Sequence, residues 1–314
     1  MLPNPFPIAR YRFDCQVESP IRLPEYAGST LRGAFGHALK KTACITRQSD
    51  CKTCPLYQSC PYPAIFSPPP PATHSLQKFS EIPAPFIVEP QAWGEKYYGE
   101  GESLSFEFIL IGRALAQLPL IVFAWQRALA TGIAKGSGTA KLLSVSLLEE
   151  NGETAIYRQA EGQIKIHVAE LNNAGAEAEQ AEQQQINLRI ETPLRIQVNG
   201  HPKHPEELTA RDLLMTLLRR SALISEFHIG KKLEFDFQAL GEAANQIKST
   251  KHLTWQDWTR YSNRQKQEMI LGGVMGEWRL AGNLQPFMPM LKLGQWLHIG
   301  KNASFGLGRY QLHT

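Results

Sequence analysis

Twice along this chain a strand-like pattern gives way to an amphipathic helix and then to further strands. That rhythm limits the possible folds more than any single motif does. In the first cycle, residues 6–17 alternate, with Tyr11, Phe13, Cys15 and Val17 on one side. Leu31, Ala34, Phe35, Ala38 and Leu39 then form an apolar helical stripe behind Ser29 or Thr30, either of which can serve as N-cap. A strand over 104–111, a helix over 118–131 and a strand over 141–148 follow. The second cycle runs as a strand over 186–198, helices over 208–224 and 235–247, a strand over 269–280, a helix over 286–299 and a closing strand over 305–312. No strict strand–helix alternation runs through either half, which favours α+β over a doubly wound parallel sheet. Each half fits a β-α-β-β-α-β ferredoxin-like (RRM-like) unit. The expected domains are 1–171 and 186–314. Residues 172–185, rich in Ala, Glu, Gln and Asn without an apolar anchor, make the linker between them.

The length of 314 residues suits two domains, and 43% apolar residues suffice for two cores. The longest apolar stretch, 118–125, is interrupted by Pro119 and is far too short to span a bilayer. The first residues lack the charged start and apolar run of a secretory signal, so a cytoplasmic, reducing setting is expected, with no membrane partner. Net charge is only +4, but it is unevenly spread. Residues 1–60 carry eight Lys and Arg against four Asp and Glu, and residues 251–314 carry eight against three. Residues 149–191 reverse the balance, with nine acids against three bases. Basic ends around an acidic middle suit a face that attracts a polyanion, although solvation alone yields such runs too.

Cys44, Cys51, Cys54 and Cys60 fall within seventeen residues, two of them as Cys-Lys-Thr-Cys. Such spacing allows a tetrahedral structural zinc site, and the insert 44–60 contains little else apolar to fold around. Disulfides compete as an explanation only in an oxidising compartment. Four thiolates leave no open position, so such a zinc would not be catalytic. Cys15, inside a strand pattern, reads as a core residue. Beyond the insert, residues 61–90 include four successive prolines, Pro68 to Pro71, and predict an extended surface excursion.

Several clusters could meet RNA. The run from Gly300 to Arg309 combines Gly300, Lys301, Asn302, Ser304, Phe305, Gly306, Gly308 and Arg309. Glycines let backbone amides approach an anion, Lys301 and Arg309 add charge, and Phe305 could stack on a base. The spacing matches neither a Walker loop nor a dinucleotide fingerprint, and a flexible turn remains the plain alternative. A shorter glycine-basic run, residues 132–138 followed by Lys141, includes Lys135 in the corresponding place of the first half. Residues 255–264 interleave Trp255, Trp258 and Tyr261 with Arg260 and Arg264, which suits base stacking and phosphate pairing or, equally, a core corner. In the first helix, His37 points away from the apolar stripe, and Lys40 and Lys41 lie one turn on. Together with Tyr26, just ahead of the helix, these groups could deprotonate a 2′-hydroxyl, protonate a leaving 5′-oxygen and neutralise a phosphorane. An exposed helical histidine is also often merely solvated.

Taken together, several of these runs resemble one known family. They are residues 258–262, Gly272-Gly273-Val274-Met275-Gly276, Gly282-Asn283-Leu284, Phe287 with Pro289-Met290-Leu291, Gly294, and residues 298–310. The stretch Gly28-Ser29-Thr30-Leu31-Arg32-Gly33-Ala34-Phe35-Gly36 supports it. Over residues 254–312 the chain resembles the CRISPR repeat-specific endoribonucleases of the RAMP superfamily, which process precursor CRISPR RNA. The resemblance implies tandem ferredoxin-like domains and RNA near the glycine-rich loop. It also implies metal-independent cleavage to a 2′,3′-cyclic phosphate and a 5′-hydroxyl. It further implies a catalytic histidine in the first helix, a position that His37 occupies, with Tyr26 and Lys40 or Lys41 as available partners. His298 is the reserve candidate for proton transfer. A non-catalytic RNA-binding subunit of a CRISPR effector complex would share the same features. A zinc-organised module binding other proteins is a third reading.

Overall fold

The structure is a computed structural model that describes residues 2–71, 82–91, 93–133, 138–171, 185–262 and 267–313, without the side chains of 259–262 and 267–270. The chain forms two compact units. One consists of Pro7–Glu170 with Phe227–Ile229; the other consists of Met1–Phe6, Leu171–Glu226 and Gly230–Thr314.

The first unit is built on β1 (Ile8–Val17), α1 (Gly28–Ala43), β3 (Phe86–Pro90), β5 (Ser103–Ile111), α3 (Leu118–Thr131), β6 (Ala140–Glu149) and β7 (Gly152–Arg158). Short strands β2 (Ile21–Leu23) and β4 (Lys96–Tyr98) pair with each other at one side. The main sheet runs β3-β5-β1-β6-β7, antiparallel throughout. With β7 set aside, the first strand sits between the third and fourth and the second lies at the edge, which is the ferredoxin-like order. Alternation in β1 sends Tyr11, Phe13, Cys15 and Val17 inward, as its sequence predicts. Phe13, Phe35, Phe106 and Phe108 surround Trp125, whose ring stacks on Phe35 at 5.2 Å and lies 4.4 Å from Phe106. Truncating Trp125 to alanine would cost about 3–5 kcal/mol.

The second unit repeats the order with β8 (Gln185–Leu194), α4 (Ala210–Ile224), α5 (Phe237–Asn245), β11 (Lys248–Ser262), β12 (Gln267–Ala281), α6 (Met288–Leu297) and β13 (Tyr310–His313). Its sheet runs β11-β12-β8-β13, again antiparallel. Two two-residue strands, β9 (Gln197–Val198) and β10 (His201–Pro202), form a small hairpin after β8. Trp278, Phe287, Leu217 and Leu291 are fully buried between sheet and helices. Among the described residues no helix is long and apolar enough to cross a membrane.

Several expectations need correction. Ser29 and Thr30 do not cap α1; the helix starts at Gly28 after buried Ala27, which already has helical backbone angles, and no side chain caps it. The proline-rich stretch is not a wholly irregular excursion. Pro61–Phe66 is a helix, α2, because proline costs nothing in a first turn whose N–H groups lack helical partners, and Ile65 has a core to pack on. Phe86–Pro90 is strand β3, since Phe86, Ile87 and Val88 can all be buried. Residues 72–81 of that stretch and 172–184 of the expected linker lie outside the described residues. The aromatic-arginine run at 255–262 belongs to the long hairpin β11–β12, in register from Lys248 opposite Ala281 to Ser262 opposite Gln267.

Candidate functional site

Helix α1 buries Leu31, Phe35, Ala38 and Leu39 and leaves His37 and Lys41 in solvent, one turn apart. Lys40 belongs to a different environment. Its ammonium donates to the Ser49 carbonyl at 3.1 Å and lies 5.9 Å from the Tyr62 ring centroid. Helix α2 packs directly over the middle of α1. A Cβ at Gly36 would run into the Phe66 ring. The Arg32 guanidinium sits 4.0 Å over that ring and donates to the Phe66 carbonyl at 3.3 Å. The backbone beside His37 is thus anchored while its imidazole faces water. Tyr26 is placed differently from what its position in the sequence suggests: it is only 3% exposed and lies against Trp93 at 5.0 Å. The structure therefore brings His37 and Lys41 to one exposed face and puts Tyr26 in the packed interior.

In the second unit the glycine-rich loop follows α6, and its glycines have a structural explanation. Gly300 (φ +86°) packs against the Arg195 carbonyl, and Gly308 (φ +72°) against that of Ile299, where no side chain fits. Many loop amides already have acceptors. Lys301 N–H donates to Arg195 O at 2.9 Å, Phe305 to Asn302 O at 2.9 Å, Gly306 to Ala303 O at 2.8 Å and Gly308 to Pro193 O at 3.2 Å. Arg309 N–H donates to Thr192 Oγ1 at 2.9 Å, and its guanidinium pairs with Glu191 at 2.9 Å. These five amides, which an open cradle would turn toward an anion, are therefore taken up within the fold. Phe305 is buried, which withdraws its ring from base stacking, whereas Lys301 is exposed; Gly300, Asn302, Ser304 and Gly306 complete the turn around them. His298 is fully buried, with Nδ1 3.2 Å from the Leu307 carbonyl. Sequence reasoning missed Arg195, which anchors Lys301 through its carbonyl and Gly272 O through its guanidinium at 2.9 Å. Burial lowers the Arg195 pKa, partly offset by nearby Asp257. A lone arginine at a strand end offers no signal for that role.

Of the remaining candidates, Lys141 is exposed on β6. Lys135 and Arg264 lie outside the described residues, as does the side chain of Arg260. Cys44, Cys51, Cys54 and Cys60 are free thiols lining one cavity of about 170 Å³. Burial pushes the Cys51 thiol up, Lys40 pulls it down, and the other three cysteines add to the rise. Among the described residues no three His, Cys, Asp or Glu side chains converge tightly enough to hold a metal as placed, so the expected zinc site is not preformed.

Two family models divide the chain between them. One, described as an N-terminal domain, matches residues 6–169; the other, CRISPR-associated endoribonuclease Cas6, matches residues 188–310. The chain's C-terminal part, residues 188–310, thus matches the Cas6 endoribonuclease family. Solved Cas6 structures share the fold of this chain at low identity. A Cas6 product complex aligns over 98% of this chain and 100% of its own, with TM-score 0.57 and 14% identity. Thermus thermophilus Cas6 aligns over 98% and 99%, with TM-score 0.53 and 13% identity. A chain of a partial Cas6-RT-Cas1–Cas2 complex aligns over 99% of this chain with TM-score 0.59 and 15% identity, but this chain spans only 47% of that longer one. No curated protein matches this chain by sequence.

Proposed function

We propose that the chain is an endoribonuclease that cleaves precursor CRISPR RNA within its repeats, without a catalytic metal, in the reducing cytoplasm. The observation that carries this reading is an exposed histidine on an anchored helix, with an exposed lysine one turn on, in a chain whose residues 188–310 match the Cas6 endoribonuclease family. His37 takes the proton from the 2′-hydroxyl next to the scissile phosphate. The 2′-oxygen bonds to phosphorus, the bond to the 5′-oxygen breaks, and that oxygen takes up a proton from solvent water. Lys41 stabilises the negative charge gathered on the phosphorane oxygens. The products carry a 2′,3′-cyclic phosphate and a 5′-hydroxyl. Lys301 and Lys141 contribute charge for the phosphate backbone, so affinity falls steeply with salt.

Tyr26, the sequence neighbour that could serve as a second proton-transfer group, is buried. That favours, as a second reading, an RNA-binding RAMP subunit that joins a CRISPR effector complex and does not cut. Mapping the ends after incubation with labelled repeat RNA in EDTA separates the two. Cyclic-phosphate product supports the nuclease, and a shifted but intact band supports the scaffold.

A further inference from the structure

We propose that Cys44, Cys51, Cys54 and Cys60 bind a single zinc ion in a closed four-thiolate site that clamps the C-terminal end of α1 to the start of α2. The proposal does not depend on whether the chain cuts RNA.

Four observations support it. Across residues 44–60 only the four cysteines and Tyr57 are drawn in from solvent, and every other side chain is exposed, including Ile45 at 84% and Leu56 at 39%. A loop that turns its thiols inward and its aliphatic residues outward is organised around sulfur, not around a hydrophobic core. All four cysteines line the same cavity, and none is in a disulfide. Two of them sit on fixed supports: Cys44 ends α1, with its N–H on the Lys40 carbonyl at 2.9 Å, and Cys60 directly precedes α2, with its N–H on the Leu56 carbonyl at 2.8 Å. The surroundings suit a thiolate cluster. The Thr46 hydroxyl lies 3.3 Å from Cys54 Sγ and 3.9 Å from Cys44 Sγ, where it can donate to metal-bound sulfur. Lys40, held on the Ser49 carbonyl, brings a cation to a centre whose thiolates outweigh the metal's charge.

Zinc–sulfur bonds are about 2.3 Å long, so the four sulfurs must draw together. The intervening loop has no buried packing to resist that closure. Binding releases the thiol protons and turns a loosely packed insert into a fixed crossing between the two helices.

The test uses the full chain purified under reducing conditions from zinc-supplemented culture. Elemental analysis should find one zinc per chain. Exchange with cobalt should give the thiolate-to-metal charge-transfer absorption of a tetrahedral all-sulfur site, and chelation should expose four additional reactive thiols. A Cys51→Ser, Cys54→Ser double variant should lose the metal, while Cys15→Ala, outside the cluster, should keep it. The thiol count on the unaltered protein keeps the test decisive if the double variant fails to fold. A zinc-free protein that takes up no cobalt, disulfides among these cysteines, or iron and sulfide in place of zinc would each overturn the proposal.

Discussion

The Lys40 ammonium lies 3.1 Å from the carbonyl oxygen of Ser49, which ties the last turn of α1 to the cysteine-bearing loop. Lys41, the next residue, is exposed one turn beyond His37. Two adjacent lysines, indistinguishable by charge, therefore sit in separate environments. We expect Lys41→Ala to slow single-turnover cleavage by on the order of 10²-fold, the usual effect of removing one group that stabilises transition-state charge. Lys40→Ala should leave the rate within about threefold and instead loosen the insert. Equal losses from the two variants would contradict this division.

Gly308 should tolerate no side chain. Its backbone is left-handed at φ +72°, and it packs on the Ile299 carbonyl. Gly308→Ala combines backbone strain with overpacking, at a cost of about 1–3 kcal/mol each. Thermal unfolding should show a clear drop in melting temperature. An unchanged melting temperature would mean that the loop does not close over residues 193–195 as described.

The start of α4 should respond to acid. Asp212 accepts from the Thr209 amide at 2.9 Å, the Thr209 hydroxyl at 2.7 Å and Lys203 at 2.8 Å. Burial alone would raise its carboxyl pKa, but Lys203 and Thr209 hold it below the usual value. A depressed folded pKa contributes stability above the unfolded value, about 3.9, and that stability is lost as pH falls through the folded one. Asp212→Asn should therefore cost about 1 kcal/mol at neutral pH, and the gap from wild type should close below about pH 4. Denaturant titrations at the two pH values check this, and a gap that persists in acid would contradict it.

Much of the frame was legible in the amino-acid order, because β1, α1, β5, α3 and β6 each bury one face with a clear period. Helix α2 was hidden by its prolines, which mark a break in isolation but fit a first turn that has Ile65 to bury. Strand β7 was hidden because Gly152–Arg158 is largely exposed along the sheet edge, so only Ile156 and Tyr157 carry an inward signal. At the candidate site, the outward aim of His37 followed from helical geometry alone. The burial of Tyr26 did not, because its aromatic neighbour Trp93 comes from a distant stretch of chain. The loop glycines were visible as a motif, yet their reason lies in carbonyls of Arg195 and Ile299 that only the folded domain brings close.

The central claim is that His37 cuts RNA without a metal. It is tested most directly by single-turnover cleavage of end-labelled CRISPR repeat RNA in EDTA, comparing wild type with His37→Ala and reading affinity from a parallel shift assay. The account predicts cyclic-phosphate product from wild type, a rate lower by about 10²–10⁴-fold for the variant, and affinity unchanged within a few fold. Equal cleavage by both proteins, or an intact shifted band with wild type, would contradict it.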